Sequence, residues 1–241
     1  MMKISVIIPL YNEAKTFPEL MKRLYALNLD KIKKEIIVVE SNSTDGSREL
    51  ARQYEKKPNT RVIYEDKPRG KGSAIRLGLK AAKGDVIIIQ DADLEYDVRD
   101  YKKLLEPIME GKASFVLGSR TLKKGSWKIR ALPGNKLASI ILNYGGLIYN
   151  IMFYLLYGVK MTDIATMFKI FKRDLVKDIE FKSNGYDLDV EIIVKLLKKG
   201  AIPLEVPVTY KARSYKEGKK VNILKDGSAS FWAIIKYRFV D

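Results

Sequence analysis

Cysteine and histidine are both absent from the 241-residue sequence. Without cysteine there is no disulfide framework, thiolate nucleophile, zinc ribbon or iron–sulfur cluster; without histidine there is no Ser-His-Asp triad and no imidazole-bound metal. Any metal ion must rest on oxygen ligands. Negative charge is scarce too: 29 Asp and Glu face 45 Lys and Arg, a formal balance of +16. Such a surplus points to an anionic partner, whether nucleic acid, a phosphorylated small molecule or a membrane surface. The run Lys3-Ile-Ser-Val-Ile-Ile-Pro9 is too short for the apolar core of a secretory signal and lacks a small-residue cleavage pattern, so a cytoplasmic setting is expected.

The positive charge is unevenly placed. Between Gly111 and Thr162 stand eight basic residues and no acid, half of the net surplus, and within that stretch Leu137 to Val159 is an uncharged run of 23 residues. About 20 apolar residues cross a bilayer core. Ser139, Asn143, Gly145, Gly146, Asn150 and Gly158 interrupt this run, so the expectation is a pair of shorter helices lying in a lipid interface, with the basic flank against anionic headgroups. The protein is then expected to sit peripherally on the inner face of the cell membrane. A nucleic-acid-binding module would need aromatics interleaved with the bases on one exposed face. Here the basic excess adjoins an apolar run instead, and no nucleic-acid partner is expected.

Short β-branched runs alternate with helical patterns through the first half. Ile4–Leu10, Ile36–Val39, Val62–Tyr64, Val86–Ile89 and Phe115–Leu117 are too continuous to be half-exposed strands, which predicts a sheet covered on both faces. Thr16-Phe-Pro-Glu19 has capping-box spacing, and Phe17, Leu20, Met21 and Leu24 then share a stripe. Ser73–Ala82, Val98–Met109 and Leu188–Lys199 read as further helices, and Ile202–Tyr210 as an edge strand because of Pro203 and Pro207. The alternation argues for an α/β fold with a doubly wound, mostly parallel sheet, whose ligands belong at the carboxyl ends of the strands. Residues 1–212 read as one catalytic domain, and 213–241 as a basic C-terminal tail with an amphipathic helix.

The chemistry concentrates at Asp91-Ala-Asp93-Leu-Glu95, directly after the strand Val86–Ile89. If the chain stays extended there, the three carboxylates point the same way. Such crowding is tolerable around a divalent cation, and oxygen ligation suits Mn²⁺ or Mg²⁺; the alternative is an acidic turn capping the next helix. Glu40 stands at the carboxyl end of the second strand, placed to accept hydrogen bonds from a nucleobase or ribose. The polar loop Ser43-Thr-Asp45 after it caps the helix that follows, in the plainer reading. Lys67-Pro-Arg-Gly-Lys71-Gly72 combines glycines and bases ahead of a helix and resembles an anion cradle, without Walker or dinucleotide spacing.

The set Ser5-Val-Ile-Ile-Pro-Leu-Tyr-Asn-Glu13, Ser43-Thr-Asp-Gly46, Gly70-Lys-Gly72, Gln90-Asp-Ala-Asp-Leu-Glu-Tyr-Asp97 and Gly118-Ser-Arg120 resembles the family 2 glycosyltransferases of the GT-A fold, nearest to the dolichol-phosphate mannose synthase branch. Thr162-Asp163, Asn184-Gly-Tyr-Asp187, Arg213-Ser-Tyr and Glu217-Gly-Lys-Lys220 extend the likeness over nearly the whole chain. The resemblance implies that Pro9, Tyr11, Glu13, Glu40, Lys71 and Asp91 hold a nucleotide-diphosphate sugar, and that Asp91, Asp93 and Glu95 hold the metal bridging its diphosphate. Asp93, Arg120 and Arg213 would be catalytic, with Arg213 closing over the donor. The family usually has Asp-Asp where Glu40-Ser41 stands, which leaves the base open, and Ala165 and Met167 alter the acceptor side.

The reaction this implies is inverting transfer of a hexose, from GDP-mannose or a UDP-hexose, to a polyprenyl phosphate such as dolichyl phosphate. That acceptor is already anionic and needs no general base. Arg120, Arg130 and Lys136, just ahead of the apolar run, are the cations expected to hold its phosphate. The alternative is transfer to a glycan hydroxyl, with Asp163, Asp187 or Asp189 as general base; in plainer readings Asp163 is a turn residue and Asp187 a helix N-cap.

Overall fold

The computed structural model describes residues 1–122, 136–213, 218 and 223–240. In chain order they form β1 (Lys3–Leu10), α1 (Phe17–Ala26), β2 (Lys33–Glu40), α2 (Ser47–Arg52), β3 (Thr60–Tyr64), α3 (Lys71–Ala81), β4 (Val86–Ile89), α4 (Tyr101–Met109), β5 (Phe115–Ser119), α5 (Lys136–Tyr157), β6 (Lys169–Lys172), α6 (Leu188–Lys198), β7 (Leu204–Pro207) and α7 (Ile223–Phe239). The sheet runs β3-β2-β1-β4-β6-β5-β7. Only β6 is antiparallel to its neighbours. Uninterrupted β-branched runs predicted strands covered on both faces, and Ile4, Ile7, Ile37, Val39, Val86 and Ile88 are all buried.

Register brings the strand ends together. Leu10 pairs with Glu40, Ile7 with Ile89 and Ser119 with Pro207, so the loops after β1, β2, β4 and β5 open along one edge, where a doubly wound sheet collects its ligands. Helix α3 lies close against β1 at Gly78, where an added Cβ would come within 2.3 Å of Ile7 Cγ2. Gly78→Ala is therefore expected to overpack this contact and cost about 1–3 kcal/mol, read as a lower urea midpoint; an unchanged midpoint would mean that α3 moves off the sheet freely.

Several local expectations are revised. The Thr16 capping box does not form: Thr16 already has helical dihedrals (φ −106°, ψ −33°), whereas an N-cap that reaches forward needs extended ones. Its Oγ1 instead donates to Glu13 Oε2 at 2.8 Å, and Glu19 pairs with Arg23. The predicted helix from Val98 begins as a 3₁₀ turn, Val98–Asp100, before α4. The predicted edge strand shortens to β7, leaving Tyr210 in a single bridge to Tyr96.

The apolar run folds as one continuous 22-residue helix, α5, rather than the expected pair of shorter ones. Its residues Ser139–Tyr157 are long and apolar enough to cross a membrane by length and composition, and 12% of that window is buried. Ile140, Tyr144, Ile148, Ile151 and Leu155 are exposed, whereas Phe153 is fully buried. Asn150 is turned inward, donating to Thr162 O at 2.6 Å and accepting from Ile164 N at 3.2 Å. Helix α7 packs on the fold through buried Ala233, Ile234 and Tyr237, with Tyr237 Oη 2.8 Å from Ser183 Oγ and Tyr157 donating to Ile234 O.

Candidate functional site

A cavity of about 1310 Å³ opens at the strand-end edge. Pro9, Tyr11, Glu13, Lys71, Asp91, Asp93, Glu95, Arg120 and Arg213 all line it, so most of the residues singled out in the sequence converge on one space. Arg130 lies outside the described residues, and Lys136 is the first residue of α5. Glu40 does not reach the cavity. Its carboxylate is wholly buried and accepts from Asn42 N, Ser43 N and Arg48 Nη1, so the expectation that it contacts a base or ribose is revised to one of holding the loop after β2. That loop in turn holds the one after β1: Asn12 N donates to Ser43 Oγ, Thr44 N to Asn12 Oδ1 and Ala14 N to Asp45 Oδ2.

The glycine loop is also read differently. Gly70 has φ +97°, and a Cβ there would meet Asn184 O at 2.4 Å. Gly72 N donates to Asn184 O at 2.7 Å, and Arg76 reaches Ser183 O and Asn184 Oδ1, both at 2.6 Å. These glycines serve the close approach of the backbone to Ser183-Asn184. Lys71 is the loop's charged residue on the cavity, 3.0 Å from Asp91 Oδ2 and over the Tyr186 ring. Burial opposes its charge, but Asp91 and Asp189 outweigh burial and raise its pKa.

The acidic segment turns where an extended chain was expected. Leu94 adopts φ +60°, and Glu95 N donates to Asp93 Oδ1, a local Asx-type bond that bends the backbone. The three carboxylates therefore diverge. Asp91 meets Lys71; Asp93 lies 3.2 Å from Arg213 Nη2; Glu95 accepts from Tyr210 Oη at 2.8 Å and Arg213 N at 2.8 Å. Burial first, then the charges of Asp91 and Glu95, push Asp93 up to about 7. Among the described residues no group of three such side chains is gathered about one point. The oxygen donors and their mutual repulsion fit a divalent cation in kind, with Glu95 turned to Tyr210 and Arg213 N.

Arg213 ties the two sides of the site together. Its Nη1 and Nη2 lie 2.9 and 3.0 Å from the two Glu13 oxygens, and its Nε is buried with no hydrogen-bond partner among the described residues. An orphaned buried donor beside the cavity is costly unless a ligand atom satisfies it. Arg120 is the mirror case. Both it and Asp163 are at most 5% exposed, and Arg120 N, Nε and Nη2 all donate to the Asp163 carboxylate at 2.6–3.0 Å. Its plane lies over Tyr210 at 5.0 Å. The guanidinium fork expected for an acceptor phosphate is thus spent on Asp163, and the expected turn residue or base is a structural counter-ion. Asp163 is itself held by Glu205, which accepts from Thr162 N and Asp163 N.

Of the three candidate bases only Asp189 lines the cavity, 3.0 Å from the fully buried Lys169. Asp187 makes no side-chain bond into α6; it accepts from Gly185 N. The sequence reading missed Tyr210, Lys169 and the pair Ser41–Glu65. Glu65 was within reach of it, being an acid directly after an apolar strand run, as Glu40 is. The other wall of the cavity carries Ile141 and Ile148 from α5 and Phe231 and Trp232 from α7, with Tyr149, Asp226, Ser228 and Ser230 among them.

Residues 5–180 match the family model of glycosyl transferase family 2. The dolichol-phosphate mannosyltransferase of Pyrococcus furiosus is 32% identical over 218 residues, 90% of this chain and 59% of that protein, so the chain spans under two thirds of that relative. A crystal structure of glucosyl-3-phosphoglycerate synthase from Mycobacterium tuberculosis with Mn²⁺, uridine-diphosphate and phosphoglyceric acid superposes with a TM-score of 0.72 at 17% identity, covering 100% of this chain and 80% of that one. Mannosyl-3-phosphoglycerate synthase from Rubrobacter xylanophilus gives 0.71 at 21% identity, covering 97% and 73%. These likenesses establish the GT-A fold.

Proposed function

The chain belongs to glycosyl transferase family 2, and on that premise we propose that it moves a hexose from a nucleotide-diphosphate sugar to a polyprenyl phosphate at a membrane surface. The observation that carries this reading is the composition of the cavity. Its sheet edge presents Lys71, Arg120 and Arg213 among carboxylates, and its far wall, from α5 and α7, sets Ile141, Ile148, Phe231 and Trp232 beside Tyr149, Asp226, Ser228 and Ser230. A sugar hydroxyl acceptor has no use for those apolar side chains, whereas an isoprenoid buries its surface there. Exposed apolar residues continue along α5 beyond the cavity, in the place where a lipid surface would lie. The Pyrococcus relative's name accords with a phosphate as nucleophile.

In this reading a phosphate oxygen of the acceptor attacks the anomeric carbon, and the bond from that carbon to the diphosphate breaks with inversion. The nucleoside diphosphate leaves carrying one more negative charge. Arg213, anchored by Glu13, would bring its positive charge to that diphosphate, and Lys71 adds positive charge at the β4 end. Fixed donors aimed where charge develops lower the barrier most. A divalent cation held by Asp91 and Asp93 would neutralise the leaving diphosphate. Arg120, bound by Asp163, contributes charge and shape rather than a free fork. The second reading, a glycan hydroxyl acceptor, rests on Asp189 alone, the one candidate base on the cavity wall.

Labelled GDP- and UDP-hexoses incubated with the protein and Mn²⁺ are expected to transfer label into organic solvent only when polyprenyl phosphate is present. Label moving to a soluble glycan instead, with polyprenyl phosphate inert, would overturn the lipid acceptor in favour of the second reading.

A further inference from the structure

Lys71 stands between Gly70 and Gly72, where a Cβ would come within 2.4 Å of Asn184 O and 2.5 Å of Ser183 O respectively. The turn that carries this lysine is thus pressed against the backbone of Ser183-Asn184, and Gly72 N and Arg76 bind it there. That backbone is held as closely from behind. Glu191 of α6 is fully buried and accepts from Lys182 N and Ser183 N, one carboxylate oxygen to each, at 2.8 Å. Lys195, one turn on, pairs with Glu191 at 2.9 Å and donates to Glu180 O. From α7, Tyr237 Oη lies 2.8 Å from Ser183 Oγ, and both residues are at most 5% exposed. Burial pushes the Tyr237 phenol up to about 12, so it keeps its hydrogen at neutral pH. Just beyond Asn184, Tyr186 supplies the ring over which Lys71 Nζ sits at 5.1 Å. One segment therefore sets the lysine's backbone on one side and its aromatic neighbour on the other, while Arg76, Ser183, Glu191 and Tyr237 themselves do not line the cavity.

We propose that Tyr237 and Arg76 are positioning residues for Lys71: they hold Ser183 and Asn184 against the Gly70–Gly72 turn, and that backbone sets the Lys71 ammonium beside Asp91. This deepens the reading of Lys71 in sugar transfer and rests on that reading for its kinetic consequence alone. The physical reason lies in the lysine itself. Its charge rides on a flexible four-carbon stem, so the place of the ammonium depends on how firmly its own backbone is fixed. A misplacement of about 1 Å in a catalytic contact costs up to about 10²-fold in rate. Glu191 supplies the stiffness, because charge-assisted bonds from one buried carboxylate to two successive N–H groups fix both peptides. Tyr237 then ties this segment to α7, which borders the cavity through Phe231 and Trp232.

Two readouts test this. Brief acetylation of the folded full-length chain, followed peptide by peptide by mass spectrometry, is expected to modify Lys71 slowly in the wild type, where its side chain is 14% exposed and paired with Asp91. Tyr237→Phe removes one oxygen and Arg76→Met keeps the stem; each is expected to raise Lys71 modification by about threefold to tenfold, the effect of losing one or two hydrogen bonds. Lys34, bonded to Tyr25 O and Leu27 O at the opposite end of β2 from the cavity, is expected to stay unchanged. In the labelled-sugar transfer assay, Tyr237→Phe is expected to lower kcat by about threefold to tenfold in the wild-type background and to have no further effect beside Lys71→Met, because both changes then act through one cation. Lys71 modification unchanged in both variants would overturn the positioning role, and so would a parallel rise at Lys34, which signals general loosening. Independent, additive losses of transfer in the double variant would overturn it as well. Selective exposure of Lys71 with transfer undiminished would uphold the positioning role and remove Lys71 from the reaction. If the wild-type chain transfers no sugar, the transfer reading falls and the acetylation result decides the positioning by itself. Should Tyr237→Phe fail to fold, Arg76→Met, at a partly exposed residue, decides the question.

Discussion

Asp93→Ala is expected to lower kcat/KM for sugar transfer by about 10²–10³ or more while the chain stays folded, the loss seen when one preorganised electrostatic contact to a developing charge is removed. Asp93 lies between Asp91, Glu95 and Arg213 at the mouth of β4. Burial and its two acidic neighbours work against its ionised form, so the repulsion relieved by deleting the carboxylate offsets the loss of its bonds to Glu95 N and Arg213. Arg213 keeps both bonds to Glu13 without it. Labelled-sugar turnover and a thermal melt separate the two effects. Turnover within a few-fold of wild type, or wild-type turnover indifferent to EDTA, would remove Asp93 from the reaction.

Asp163→Ala is expected to act on stability first, by about 3–5 kcal/mol, because it strands a buried guanidinium that cannot shed its charge. Arg120 is 5% exposed and gives three donors to Asp163. Asp163 more than offsets the burial that opposes this charge, so Arg120 stays ionised in the intact protein. For a chain of this size that cost lowers Tm by roughly 10 °C. The double change Arg120→Met with Asp163→Leu should recover most of the stability, since apolar residues of like volume often replace a buried ion pair without loss. Its activity then reports on Arg120 as a cavity charge, free of the folding defect. A melt of Asp163→Ala within about 2 °C of wild type would show that the pair is dispensable and reopen Asp163 as a base.

The strands were legible because each needs only its own residues. Runs such as Ile36–Val39 and Val86–Ile89 declare a strand covered on both faces, and the carboxyl end of the latter put Asp91, Asp93 and Glu95 at the ligand edge. The helix stripe Phe17, Leu20, Met21 and Leu24 is buried as its period required. The Thr16 box was not legible, because a turn starting at Glu13 had already given Thr16 helical dihedrals.

Composition and short-range pattern determined the class of chemistry. The absence of His and Cys left only oxygen ligands and no triad, the alternating runs demanded a wound α/β sheet, and the acid-free segment joined cations to an apolar run. Tertiary structure decided how each charge is used. Glu40 and Glu65 end adjacent strands alike, yet Glu40 is spent on its own loop and Glu65 reaches Ser41 at the cavity wall. Arg120 finds Asp163 from 43 residues away, and Arg213 finds Glu13 from 200. Leu94 turns the acidic segment so that its carboxylates part, and the interrupted run becomes one helix with Asn150 turned inward to the Thr162–Ile164 turn. A charge in a low-dielectric site takes its role from whatever lies within about 4 Å, and which groups lie there depends on strand register and helix packing, which local periodicity does not encode.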